Sequence, residues 1–107
     1  MPRRVALFGG TFDPIHLGHL AAARAALDSG VVDEVIFVPA GQPPHKPQGA
    51  RADAASRWLM TVLATLDEPA FRVARWEFDR PGKSYAVDTL RMARAELGDA
   101  ELYWVIG

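Results

Sequence analysis

An apolar tetrapeptide running straight into a glycine pair constrains this chain more than any other feature. Val5-Ala6-Leu7-Phe8 leaves no polar position to face water, so it reads as a strand buried on both faces. Gly9-Gly10 follow at once, and Leu17 to Leu27 is an alanine-rich, helix-forming run. The stretch from Gly9 to His19, GGTFDPIHLGH, therefore occupies a strand-to-helix turn. Gly9 and Gly10 carry no Cβ, which lets a ligand approach the backbone. The helix beyond them offers unpaired N–H groups and a partial positive charge to an anion. His16 and His19 are three residues apart, so both imidazoles fall on one face of the helix's first turn, and Gly18 between them keeps that face open. Glycine pairs before helices also occur without a ligand, and a lone histidine is usually a satisfied surface or core residue. The coincidence of both features within one short segment points to a polyphosphate site.

The rest of the chain alternates strand and helix. Val35-Ile36-Phe37-Val38, closed by Pro39, reads as a second buried strand, and Gly30 marks the end of the first helix. Trp58, Leu59, Val62, Leu63 and Leu66 recur at helical spacing before Pro69. Phe71 to Phe78 is expected as a third strand with Val73 inside. Ser84 suits the N-cap of a third helix, with Val87, Leu90, Ala93, Arg94 and Leu97 as its stripe and Gly98 at its end. Leu102 to Ile106 gives a fourth strand. The pattern predicts an α/β fold: a Rossmann-like, doubly wound parallel sheet with helices on both faces, right-handed crossovers, strand order 3-2-1-4 and residues 4–8 central. Ligands bind such sheets at the carboxyl ends of the strands, where the order switches. Here that crevice lies between the Gly9–His19 motif, after strand 1, and Gly107, after strand 4.

Composition narrows the function classes. The chain has 107 residues, half of them hydrophobic, which fits one small globular domain or part of a larger one. Twelve basic and thirteen acidic residues leave a net charge of −1, which gives no support to general nucleic-acid or membrane-surface binding. There is no cysteine, so disulfides and thiolate metal sites are excluded. The apolar run after Met1-Pro2-Arg3-Arg4 stops at Gly9, too short for a signal h-region, and no apolar run reaches membrane length. A cytoplasmic protein is expected.

The Gly9–His19 stretch resembles the signature of the nucleotidylyltransferase superfamily, with its H-x-G-H element. Gly9-Gly10 before Thr11, together with His16, is similar to bacterial nicotinate-mononucleotide adenylyltransferases. Pro43-Pro44-His45-Lys46 resembles that family's P-P-H-K loop, and Arg57, Met60, Leu63 and Ala64 fit its R-x-x-M-x-x-L-A helix. Glu77, Arg80 and Ser84 to Leu90 fit its E-x-x-R and S-Y-T-x-D-T-L segments, with Ala86 where the family usually has Thr.

The resemblance runs from residue 4 to residue 107 and matches the family's N-terminal half. It implies one nucleotidylyltransferase domain over residues 1–107, incomplete at its C-terminus. Family members continue with an acidic residue, aromatic substrate residues and an I-S-S/T segment whose basic residue completes the ATP site. A protein truly ending at Gly107 is therefore expected to be nearly inactive and prone to self-association through the edge of strand 4. A homo-oligomer is compatible with the sequence.

The implied reaction transfers AMP from ATP to nicotinate mononucleotide, giving nicotinate adenine dinucleotide and pyrophosphate. Catalysis would fall to His16 and His19, donating to phosphate oxygens, with Lys46 adding charge from its loop. The ATP side would comprise Gly9, Gly10, Thr11, Phe12, His16, His19 and Gly107, with Thr11 and Phe12 contributing backbone N–H groups and shape. Mg²⁺ would enter with ATP, carried by phosphates and water, with no protein metal site. The acceptor's carboxylate would meet the third helix's start at Ser84, Tyr85 and Ala86. Asp13 reads as a cap, Asp88 as a dipole partner, and Trp58, Trp76 and Trp104 as core or boundary aromatics. Two alternatives stand beside this reading. One is a phosphopantetheine adenylyltransferase, a group that usually carries Thr where this chain has His16. The other is a nucleotide-binding or assembly fragment without catalysis.

Overall fold

The computed structural model describes residues 3–12, 14–41, 53–77 and 86–105, with Ala86 described by its backbone alone. Strand β1 (Arg4–Gly10) leads to helix α1 (Leu17–Asp28), β2 (Glu34–Pro39), α2 (Ala54–Thr65), β3 (Phe71–Val73), α3 (Ala86–Leu97) and β4 (Glu101–Trp104). The sheet order is β3-β2-β1-β4 and every pairing is parallel, as the alternation predicted. Val5 faces Glu34 on one side and Leu102 on the other, so β1 is central.

Burial on both faces explains the unbroken apolar runs. Val5 and Leu7, with Ile36 and Val38, enter one core with Trp76, Ala93 and Leu97 of the α3 side. Ala6 and Phe8, with Val35 and Phe37, enter the other with Phe12, Ala23 and Val32 of the α1 side. Two consecutive strands thus share out their residues by strict alternation. The amino ends are tied by Arg3–Glu34 and Arg4–Asp33 ion pairs at 2.6 and 2.8 Å, exposed contacts that set register more than stability. Gly30 and Gly98 sit in the left-handed region, at φ 78° and 64°, where each ends a helix.

Three expectations change. Strand β3 stops at Val73 instead of running to Phe78. Ala74 N–H still donates to Phe37 O at 2.8 Å. The chain then turns, and Trp76 packs into the α3-side core with its indole N–H on Glu96 at 3.1 Å. In α3, Ala93 and Leu97 are buried and Leu90 packs beside them, but Val87 is about half exposed and Thr89 takes the buried place. In α2 the buried line is Arg57, Thr61 and Thr65, whereas Leu59, Leu63 and Leu66 are more than half exposed. The polar line tolerates burial because it is satisfied. Thr61 donates to Arg57 O at 2.8 Å and Thr65 to Thr61 O at 2.9 Å, one turn back in each case. Among the described residues no helix is long and apolar enough to cross a membrane.

Candidate functional site

The carboxyl end of β1 carries the candidate site. Gly9 and Gly10 are still strand residues, paired with Val38 and Pro39. A Cβ on Gly9 would lie 3.8 Å from the Trp104 ring of β4, which places the β1 end beside the β4 end as the strand order requires. Gly10 has a packing reason of its own: its Cβ would lie 3.2 Å from two ring atoms of Phe12. Phe12 takes a positive φ of 50°, uncommon for a bulky residue, and is fully buried. Its ring meets Phe8, Phe37 and His19 edge-on, with centroids 5.5, 5.8 and 4.9 Å away. Phe12 is therefore a buttress beneath His19, and its shape reaches the site through that ring.

His16 is the N-cap of α1, in extended conformation at φ −143° and ψ 178°. Its Nδ1 accepts the Gly18 N–H at 3.0 Å, and the Nδ1 of His19 accepts the His16 N–H at 3.0 Å. The two histidines thus satisfy two of the N–H groups a helix start leaves open, a task that usually falls to Ser or Thr with Glu or Gln. This capping also fixes their chemistry. A neutral imidazole carries one proton, and an Nδ1 that accepts a hydrogen bond must leave that proton on Nε2. Both rings therefore present an Nε2–H donor away from the backbone. The rings stack with centroids 3.8 Å apart, 26° from parallel. Burial first, and then the electrostatic influence of the neighbouring His16, hold the His19 imidazole below its usual value, which favours its neutral tautomer.

Gly18 has a second reason to be glycine. A Cβ there would lie 2.9 Å from His16 Cε1 and 3.0 Å from its Nδ1, in space the ring occupies. The openness read from the sequence is thus room for the His16 ring itself.

Arg57 was recognised in the sequence as part of a motif, without a role. It is 1% exposed, and its guanidinium reaches the site's backbone: Nη1 donates to Thr11 O at 2.9 Å and to Ala40 O at 2.6 Å, Nη2 to Gly41 O at 2.7 Å. Thr89 in α3 donates to Glu77 at 2.7 Å, tying that helix's first turns to the segment after β3. The signal for Arg57 was its spacing of four from Thr61 and eight from Thr65, a polar line inside an otherwise apolar helix. Lys46, Ser84, Tyr85, Gly107, Asp13 and the side chain of Ala86 lie outside the described residues.

A site of this kind, on a parallel sheet of order β3-β2-β1-β4, invites comparison with known proteins. The sequence profile of the cytidylyltransferase-like family matches residues 7–107. The chain belongs to the cytidylyltransferase-like family. Similar members include a probable nicotinate-nucleotide adenylyltransferase of Thermus thermophilus, 53% identical over 104 residues, 97% of this chain and 55% of that protein. A protein of the same name from Moorella thermoacetica is 50% identical over 107 residues, 99% of this chain and 49% of that one. The chain thus spans about half the length of the curated relatives it matches. Among solved structures, the Plasmodium falciparum nicotinic acid mononucleotide adenylyltransferase complexed with NaAD superposes with a TM-score of 0.82 over 98% of this chain and 52% of that one. At 15% identity this is a likeness of fold, and it places the cytidylyltransferase-like chain on the same sheet architecture.

Proposed function

We propose that the whole protein of which this chain forms a part transfers AMP from ATP to nicotinate mononucleotide, giving nicotinate adenine dinucleotide and pyrophosphate in the cytoplasm. The observation that carries the proposal is the pair of Nε2–H donors that His16 and His19 present beside the α1 N-terminus. A phosphate oxygen of the mononucleotide attacks the α-phosphorus of ATP, the bond to the β-phosphate breaks, and pyrophosphate leaves. Such a transfer needs in-line positioning and charge stabilisation more than covalent help. Two preorganised donors aimed at phosphate oxygens supply the second, and the positive end of the α1 dipole adds to it. Lys46 would add a charge from its loop, and Gly9, Gly10, Thr11 and Gly107 would line the nucleotide. Donors of the N–H kind suit phosphate oxygens and not a cation, so Mg²⁺ fits as an ion carried on ATP by phosphates and water.

The acceptor side would be the start of α3 at Ser84, Tyr85 and Ala86, where helix N–H groups and dipole favour a carboxylate. The names of the relatives from Thermus thermophilus and Moorella thermoacetica support this choice of acceptor. Charged hydrogen bonds contribute about 1.5–3 kcal/mol each, so one such bond gives about tenfold to a hundredfold preference for the acid over its amide. Competition kinetics on the full-length protein, with nicotinate mononucleotide, its amide analogue and phosphopantetheine at equal concentration, test this. The acid should have the highest kcat/KM. Equal values for acid and amide would remove the carboxylate pocket, and a preference for phosphopantetheine would replace the proposed substrate.

A further inference from the structure

We propose that Arg57 is a positioning residue for the nucleotide site, a proposal that rests on the adenylyl-transfer reading. The side chain leaves the first turns of α2, where Asp53 caps the helix by accepting the Ser56 N–H at 2.7 Å. It runs buried to the carboxyl end of the sheet. There its planar fork holds carbonyls from two different connections: Thr11, after β1, and Ala40 and Gly41, after β2. The Ala40 N–H donates in turn to Gly10 O at 2.9 Å, so the two connections are already laced together where the guanidinium meets them. Thr11 is the residue before Phe12, whose left-handed backbone persists only while its surroundings hold it. The Phe12 ring bears on His19 at 4.9 Å. Arg57 thus reaches the donor Nε2–H of His19 through Thr11 and Phe12. A lysine keeps the charge but lacks the rigid fork that engages several carbonyls in one geometry.

The test uses the full-length protein and three variants: Arg57→Met, Arg57→Lys and, as a control, Thr65→Val. The control perturbs the same buried helix face, because the Thr65 hydroxyl bonds within its own helix. At a temperature where circular dichroism shows each variant folded, Arg57→Met should lower kcat about 10²-fold, the scale of a small misplacement of reacting groups. Its KM for the mononucleotide should stay unchanged. Arg57→Lys should lose about tenfold, and Thr65→Val should keep kcat whatever its loss in Tm. If Arg57→Met does not fold, Arg57→Lys decides on the same ratio. A folded Arg57 variant with kcat within about threefold of the wild type overturns the proposal. So does a loss of kcat in Thr65→Val equal to that in the Arg57 variants. A wild-type protein that adenylylates no acceptor removes the functional reading and this proposal together, and that outcome is seen before any variant is compared.

Discussion

The imidazoles of His16 and His19 lie stacked, 3.8 Å between centroids, and each is pinned at Nδ1 by a backbone N–H of the same helix start. The residues that cap the backbone's unsatisfied donors are thus the ones to which the proposed reaction assigns the phosphate contacts. In that proposal capping and ligand chemistry are coupled, and a change that frees either ring also frees its tautomer.

Gly18→Ala separates stability from activity. A Cβ at that position collides with the His16 ring, which is exposed and can swing outward. Alanine meanwhile favours the helix by about 0.5–1 kcal/mol. The variant of the full-length protein should keep its Tm within a few degrees and lose most of its kcat. Equal kcat for variant and wild type would show that the pinned position of His16 does not matter.

The parts of the fold that came through in the sequence are those where one local signal had no rival. Val5 to Phe8 and Val35 to Val38 are buried on both faces, so no alternative period competes, and the parallel pairing follows from their alternation with helices. In α2 hydrophobicity is a poor guide to the inside, because the buried line is polar. Arg57 is drawn inward by carbonyls 16 to 46 residues away in sequence, which no helical spacing reveals, and Thr61 and Thr65 follow on its side of the helix. Strand β3 was overdrawn because the apolar residues after Val73 serve a different core: Trp76 belongs to the α3 side, held by Glu96. At the site, the two histidines were legible as a pair, but their stacking and Nδ1 capping depend on backbone geometry that spacing alone leaves open.

Stability should fall on mild acidification, and His19 should account for part of the fall. Its pKa is lowered in the folded state, first by burial and then by His16, from an ordinary imidazole value of about 6.5. Below that value the unfolded chain takes up a proton that the folded chain resists, so the unfolded state gains. The His19 contribution is complete above about 6.5 and is lost as pH falls through the lower folded value. Tm measured from neutral pH down to mild acid should decline less steeply in His19→Asn than in the wild type. Parallel curves would show that His19 is not held neutral.

The central claim is that His19 acts through the Nε2–H that its cap leaves facing outward, and two isosteres of the ring divide its functions. Asparagine places an acceptor near Nδ1 and can keep the bond from the His16 N–H, with nothing at Nε2. Glutamine places an amide N–H near Nε2 and gives up the cap. The decisive measurement is kcat for adenylyl transfer by full-length His19→Asn and His19→Gln under saturating ATP. His19→Asn should be the more stable variant, and its kcat should fall about 10²–10³-fold, or ~3–4 kcal/mol, the usual cost of one transition-state donor. His19→Gln should retain the larger share of kcat. Near-wild-type turnover by a folded His19→Asn would contradict the account.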